Sequence, residues 1–147
     1  MEPRHARIHE RLQDYWESLR QGRIYPCETD VNPEKIADIW ENCLLVSIHE
    51  EDLKYGYQYT YLGAHLIEAF ADDLTCRDIS SRLIETTSQP LVQGFEQVIR
   101  TGKPVQENAE FVNSLGMVIK YRSILLPLGQ DPQKVDYIIG AMKWRAF

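Results

Sequence analysis

The sharpest alternation in the chain is Tyr55-Gly56-Tyr57-Gln58-Tyr59-Thr60-Tyr61-Leu62-Gly63. Tyrosine takes every second position four times running. Side chains of a β-strand point alternately to opposite faces, so the pattern predicts a strand with four rings on one side. Gly56, Gln58 and Thr60 take the other side. Residues 44–48, LLVSI, predict a short buried strand, and 49–52 a polar turn that joins the two into a hairpin.

The remaining elements follow from the same reading. Ile8, Leu12, Tyr15, Trp16 and Leu19 recur at helical spacing and predict an amphipathic helix over about 4–21, ended by Gly22. Its stripe must pack on the chain's own sheet or on a second copy. Residues 23–31 read as an extended connector broken by Pro26. Asn32-Pro33-Glu34 opens a helix with Ile36, Ile39, Trp40 and Cys43 as its apolar stripe. After Gly63, Leu66, Ile67, Ala69 and Phe70 predict a short helix, and Leu74, Ile79, Leu83 and Ile84 mark two further short pieces. Leu91, Phe95, Val98 and Ile99 define a longer helix that Thr101-Gly102-Lys103-Pro104 stops. Three strands close the chain, over 105–112, 116–128 and 135–144. In the middle one Met117, Ile119 and Tyr121 share a face, with Val118, Arg122, Ile124 and Leu126 opposite.

Strands split by a helical block predict an α+β fold: one five-stranded antiparallel sheet with helices on one face, preceded by the N-terminal helix. The Val-, Ile- and Leu-rich first and last strands belong at its centre, and the more polar strand at Val105 at an edge. The expected division is 1–31, helix and connector, and 32–147, the sheet domain.

Composition narrows the function classes. A net charge of −6 disfavours nucleic acid as the main partner, because phosphate binding needs a basic surface. The acid is uneven: residues 28–52 hold eight carboxylates and one lysine, Lys35, and the rest is near neutral. Three cysteines with no CxxC spacing fit a reducing compartment. The charged N-terminus has no apolar core of a signal peptide, and no apolar run reaches membrane-spanning length. A cytoplasmic protein is expected.

The order of elements from about Asn32 to Trp144 resembles a PAS domain. Ile99-Arg100-Thr101-Gly102-Lys103-Pro104-Val105 is similar to the PAS step from its long helix into its third strand. Tyr59 to Ala64, then Leu74-Thr75-Cys76-Arg77, resemble a family of small stand-alone bacterial PAS-type regulatory proteins, with Ala64 where that family has Thr and Cys76 where it has Gly. Trp16-Glu17-Ser18-Leu19-Arg20-Gln21-Gly22-Arg23 resembles its leader helix. The resemblance implies a sensory module that binds a small molecule between sheet and helices, or pairs with another protein. With no output segment expected on this chain, signalling would run through a protein partner or a homodimer.

The candidate pocket lining is Tyr57, Tyr59, Tyr61, Phe70, Phe95, Ile99 and Arg122. Phenols converging on one cavity suit a polar, flat ligand, and a guanidinium can grip a carboxylate. Packing of the rings as plain core is the competing reading, and with it a protein-interaction adaptor with a filled core. The partner surface is assigned to Ile8, Leu12, Tyr15, Trp16 and Leu19. No cofactor is expected. The long helix has no histidine to take a haem iron. Cys76-Arg77 resembles part of the flavin-domain motif Asn-Cys-Arg-Phe, but Thr75 precedes it, Asp78-Ile79 follows, and the last two strands lack the Asn and Gln that would read a flavin. His5 and His9 have two-ligand spacing without a third ligand, so no metal is expected. A small acid–base enzyme on a cone-shaped α+β barrel is the remaining alternative; no nucleophile, P-loop or dinucleotide motif supports it, and no enzyme is expected.

Overall fold

The hairpin is formed by β1 (Cys43–Glu51) and β2 (Lys54–Leu62), and the chain closes with β3 (Val105–Val112), β4 (Val118–Leu128) and β5 (Tyr137–Ala146). In the computed structural model these make one antiparallel sheet in the order β2-β1-β5-β4-β3. The apolar strands β1 and β5 are central and β3 is an edge, as the composition of each predicts. The structure describes residues 8–51, 54–75 and 89–147. The helical pieces expected around Ile79, Leu83 and Ile84, and the residues Cys76 and His5, lie outside them.

Alternation along the strands divides the sheet into two faces. One carries Leu44, Val46, Tyr57, Tyr59, Ile138, Leu125, Tyr121 and Phe111, and is covered by α2 (Ala64–Phe70) and α3 (Gln89–Thr101). Gly94 lets α3 lie close: a Cβ there would fall 2.5 Å from Glu107 Oε1 and 2.6 Å from Leu125 Cδ1. Gly102, at φ +65°, ends α3 in the left-handed conformation expected past a helix, its N–H donating to Val98 O at 2.7 Å.

The opposite face carries Ile124, Leu126, Leu128, Ile139 and Ala141, all buried. Its cover is α1 (Ile8–Arg20), which packs on β4 and β5. Ile8, Leu12 and Trp16 are buried, and the Trp16 indole donates to Pro127 O at 2.8 Å. Of the two partners the stripe could have taken, the chain's own sheet is the one it meets. The residues after the connector are tied to α1: Arg11 bridges to Asp38 at 3.1 Å, and Asn32 N–H donates to the Tyr15 hydroxyl at 2.8 Å.

The connector, expected to be extended, carries a 3-10 turn at Glu28–Asp30, and two further sequence expectations change. The helix opened by Asn32 is instead a series of 3-10 turns, Pro33–Ile36 and Trp40–Asn42. The Asn32 cap forms, accepting from Glu34 N–H at 3.1 Å, but Ile39 leaves helical geometry at φ −122° and ψ 1°. Ile36 and Ile39, three apart, still reach the core. The second change is in β2. Leu45 pairs with Tyr61 and Val46 with Tyr59, so Thr60 is an extra residue that bulges the strand. The four tyrosines therefore do not share one face.

Candidate functional site

The bulge decides which rings meet. Tyr57 and Tyr59, before it, face α2 and α3 and are buried. From them a line of ring contacts crosses the inner face. Tyr57 meets Phe95 at 5.2 Å between centroids, Phe95 meets Tyr59 at 6.4 Å, and Tyr59 meets Phe70 at 6.3 Å. Phe70 meets Phe111 at 5.3 Å and Phe111 meets Tyr121 at 5.8 Å. Every pair is tilted or edge-on, the arrangement ring quadrupoles favour. Of the seven expected lining residues, Tyr57, Tyr59, Phe70 and Phe95 are thus brought together. Phe111 and Tyr121 extend the set from β3 and β4.

Polar atoms are buried among these rings without partners. Tyr57 OH, Tyr121 OH, Ser123 Oγ and Glu107 Oε1 have no hydrogen bond among the described residues. Glu107 stands opposite Ser123 in the β3–β4 register, beneath Gly94 of α3. Burial pushes the Glu107 carboxyl above the ordinary glutamate range. It also pushes the Tyr57 phenol up, with smaller contributions from Glu96 and Tyr55, and the Tyr121 phenol, with a smaller contribution from Glu107. The site is an aromatic wall with a carboxyl and hydroxyls set into it. The rings offer flat apolar surface, and the polar atoms among them are the groups that would orient a molecule bound there.

The other expected lining residues lie elsewhere. Beyond the bulge Tyr61 turns to the outer face and stacks on Trp40, centroids 4.2 Å apart and planes 11° from parallel; its hydroxyl donates to Trp40 O at 2.8 Å. Arg122 is exposed on the outer face, because its position in β4 is one residue out of step with Tyr121 and Ser123. Ile99 is half-buried and lines a separate cleft of about 170 Å³ with Ile48, Tyr55 and Val135. In the partner stripe Tyr15 and Leu19 are half-buried beside the covered Ile8, Leu12 and Trp16.

Glu107, Tyr121 and Ser123 were not among the expected site residues. The signal was present: Val105, Glu107, Ala109 and Phe111 share one face of β3, so a glutamate sits in line with a core valine and a core phenylalanine. Cys43 is buried, its thiol pushed up to about 12 chiefly by desolvation and then by Asp38, which makes it inert. Among the described residues no three His, Cys, Asp or Glu side chains group to hold a metal ion. No described helix is long and apolar enough to cross a membrane.

A five-stranded antiparallel sheet with helices over one face, and an aromatic layer between, is the frame of a sensory-module fold. The chain belongs to the PAS domain family, whose model matches residues 4–143. Among solved structures it is similar to the LOV protein of Rhodobacter sphaeroides, with a TM-score of 0.53 and 11% identity over 78% of this chain and 68% of that one. It is also similar to the light state of the blue-light photoreceptor Aureochrome1 LOV, with a TM-score of 0.52 and 10% identity over 75% and 85%. At these identities the likeness establishes the fold. No curated protein matches the chain in sequence. The PAS fold is that of sensory and regulatory modules, typically without enzymatic activity.

Proposed function

We propose that this chain is a sensory or regulatory module that holds a small polar molecule between the sheet and its helices and signals through a protein partner or a second copy. One observation carries the reading: Tyr57 OH, Glu107 Oε1, Tyr121 OH and Ser123 Oγ are buried without hydrogen-bond partners on the inner face. A dry, unpaired polar atom costs about 1–3 kcal/mol. Native interiors pair such atoms with protein, water or ligand. A flat molecule lying along the rings and carrying both donors and acceptors would satisfy the hydroxyls and the carboxyl together.

The filled-core adaptor is the second reading, and the unbroken ring contacts from Tyr57 to Tyr121 favour it. Light sensing through flavin is not carried over from the LOV neighbours. The inward positions of β4 and β5 include Ile119, Tyr121, Ser123, Leu125 and Pro127, and Ile138, Gly140, Met142 and Trp144, none with a side-chain amide to read a flavin ring.

The two readings separate on what the purified protein carries. Denatured protein is analysed by mass spectrometry for released small molecules, and the native protein is screened for compounds that raise its melting temperature. The expected result is a small polar molecule that is absent, or retained at lower occupancy, in Glu107→Gln and Tyr121→Phe. If no molecule is released and none in the screen stabilises the protein, the ligand reading fails and the adaptor stands.

A further inference from the structure

Beyond α1 the outer face of the sheet is basic, and among the described residues nothing covers it. Register places Arg122 opposite Lys143, and Lys120 opposite Arg145, on the adjoining strands β4 and β5. Directly opposite side chains lie about 5 Å apart at Cβ, and like charges there are destabilising. The four make a two-by-two block of cations in a chain of net charge −6. None forms an ion pair among the described residues. Glu110 opposes Lys120 in register but makes no bridge to it. Together with Asn108 and Glu110 the cations line a hollow of about 780 Å³.

Apolar side chains adjoin the hollow. Val112 is 50% exposed on the same face, and Phe147 is 66% exposed, with the Lys120 ammonium 4.5 Å from its ring centroid. Leu115, 74% exposed, and Met117, 41%, sit in the turn between β3 and β4. That turn is firmly held. The Asn113 carboxamide accepts from Leu115 and Met117 N–H at 3.0 Å each and donates to Ala69 O at 3.0 Å. Of the six large hydrophobics exposed among the described residues, Phe147 lines the basic hollow and Val112 shares its face.

We infer that this outer surface docks a segment of a partner protein in which acidic residues adjoin apolar ones. Charge complementarity sets the acidic part against the block of cations, and Val112 and Phe147 receive the apolar part. A nucleic-acid backbone or a free anion would use the cations and leave the hydrophobics idle. A bilayer offers a uniform anionic surface, which Glu110, lining the same hollow as the cations, opposes. The partner would touch the sheet face opposite the aromatic wall, so β4 and β5 stand between the two.

The test uses the full chain and a short fluorescein-labelled peptide, a run of Asp followed by a run of Leu, with fluorescence anisotropy as the readout. The expected result is saturable binding that weakens with salt and falls about tenfold in Arg122→Gln/Lys143→Gln. Peptides with Asn for Asp, or Ser for Leu, bind more weakly than the parent. The double variant melts at the same or a higher temperature, since it removes a pair of opposed like charges. If that variant loses its fold, Lys120→Gln/Arg145→Gln serves instead. Absence of binding, or equal binding by the neutralised variants, overturns the inference. So does tighter binding of a single-stranded oligonucleotide or of phosphatidylserine vesicles. A solution mass that grows with concentration and returns to monomer in the double variant would assign the surface to a second copy and overturn it equally.

Discussion

The two faces of the sheet are built from the same strands and hold their polar groups in opposite ways. On the inner face Tyr57, Glu107, Tyr121 and Ser123 bring polar atoms out of water and leave them unpaired. On the outer face Lys120, Arg122, Lys143 and Arg145 stand in or near water and oppose one another. The first arrangement costs desolvation and the second costs Coulomb repulsion, and different partners relieve them. A desolvated hydroxyl or carboxyl needs a small donor or acceptor that can be enclosed. A block of cations needs an anionic surface that stays outside. The contrast explains how one sheet could present a sensor on one side and an output on the other.

The largest effect is expected where the outer face is covered. Trp16→Ala removes a buried indole and its hydrogen bond to Pro127 O. It is expected to cost about 3–5 kcal/mol in urea unfolding, close to the cost of Phe95→Ala on the inner face. Equal losses would make both faces one cooperative unit that includes α1. A Trp16→Ala midpoint near wild type beside a large Phe95→Ala loss would make α1 peripheral and support a boundary between 1–31 and 32–147.

Which face a residue takes was only partly legible in the sequence. Strand order, the central place of β1 and β5, the two helices after Gly63 and the cap at Asn32 all follow from local patterns. The face of Tyr61 does not, because one extra residue at Thr60 reverses it, and a bulge is a property of pairing between strands rather than of either strand alone. Arg122, expected in the pocket lining, alternates with Tyr121 along β4 and so takes the outer face, where its guanidinium stays in water. Glu107 was passed over because a strand reading VQENAEFV resembles a solvated edge. Only the approach of α3 at Gly94 buries its carboxyl, and that is a tertiary fact.

A smaller effect of opposite sign is expected from Tyr121→Phe. The variant keeps the ring contact with Phe111 and removes a hydroxyl that has no partner. In protein stripped of any bound molecule it is expected to stabilise by about 1 kcal/mol, because an orphan donor is deleted and the packing stays. In protein as purified the gain should shrink or reverse, since the hydroxyl then has something to bind. A thermal melt of each variant before and after stripping measures both values. Destabilisation in both states would mean that the hydroxyl is already satisfied within the protein.

The smallest effect is a slope with pH. Burial raises the Glu107 carboxyl above its ordinary value of 4.5, so between 4.5 and the raised value the folded chain keeps a proton that the unfolded chain has lost. The stability contributed is full below 4.5 and is lost as pH rises through the folded value. His9 acts the other way. Burial, then the charges of Arg122 and Lys143, lower it from 6.5, against a raising contribution from the Arg122 backbone. Its contribution is present above 6.5 and is lost as pH falls through the lowered value. The two oppose each other in mildly acidic solution, so the wild-type profile alone cannot separate them, and the subtraction of a variant can. Stability of wild type minus that of Glu107→Gln, followed by urea unfolding from acid to neutral pH, is expected to be greatest below 4.5 and to decline to a constant above the raised value. A difference that stays level throughout would place the carboxyl in water. The inner face would then lose the group that most distinguishes it from a plain aromatic core.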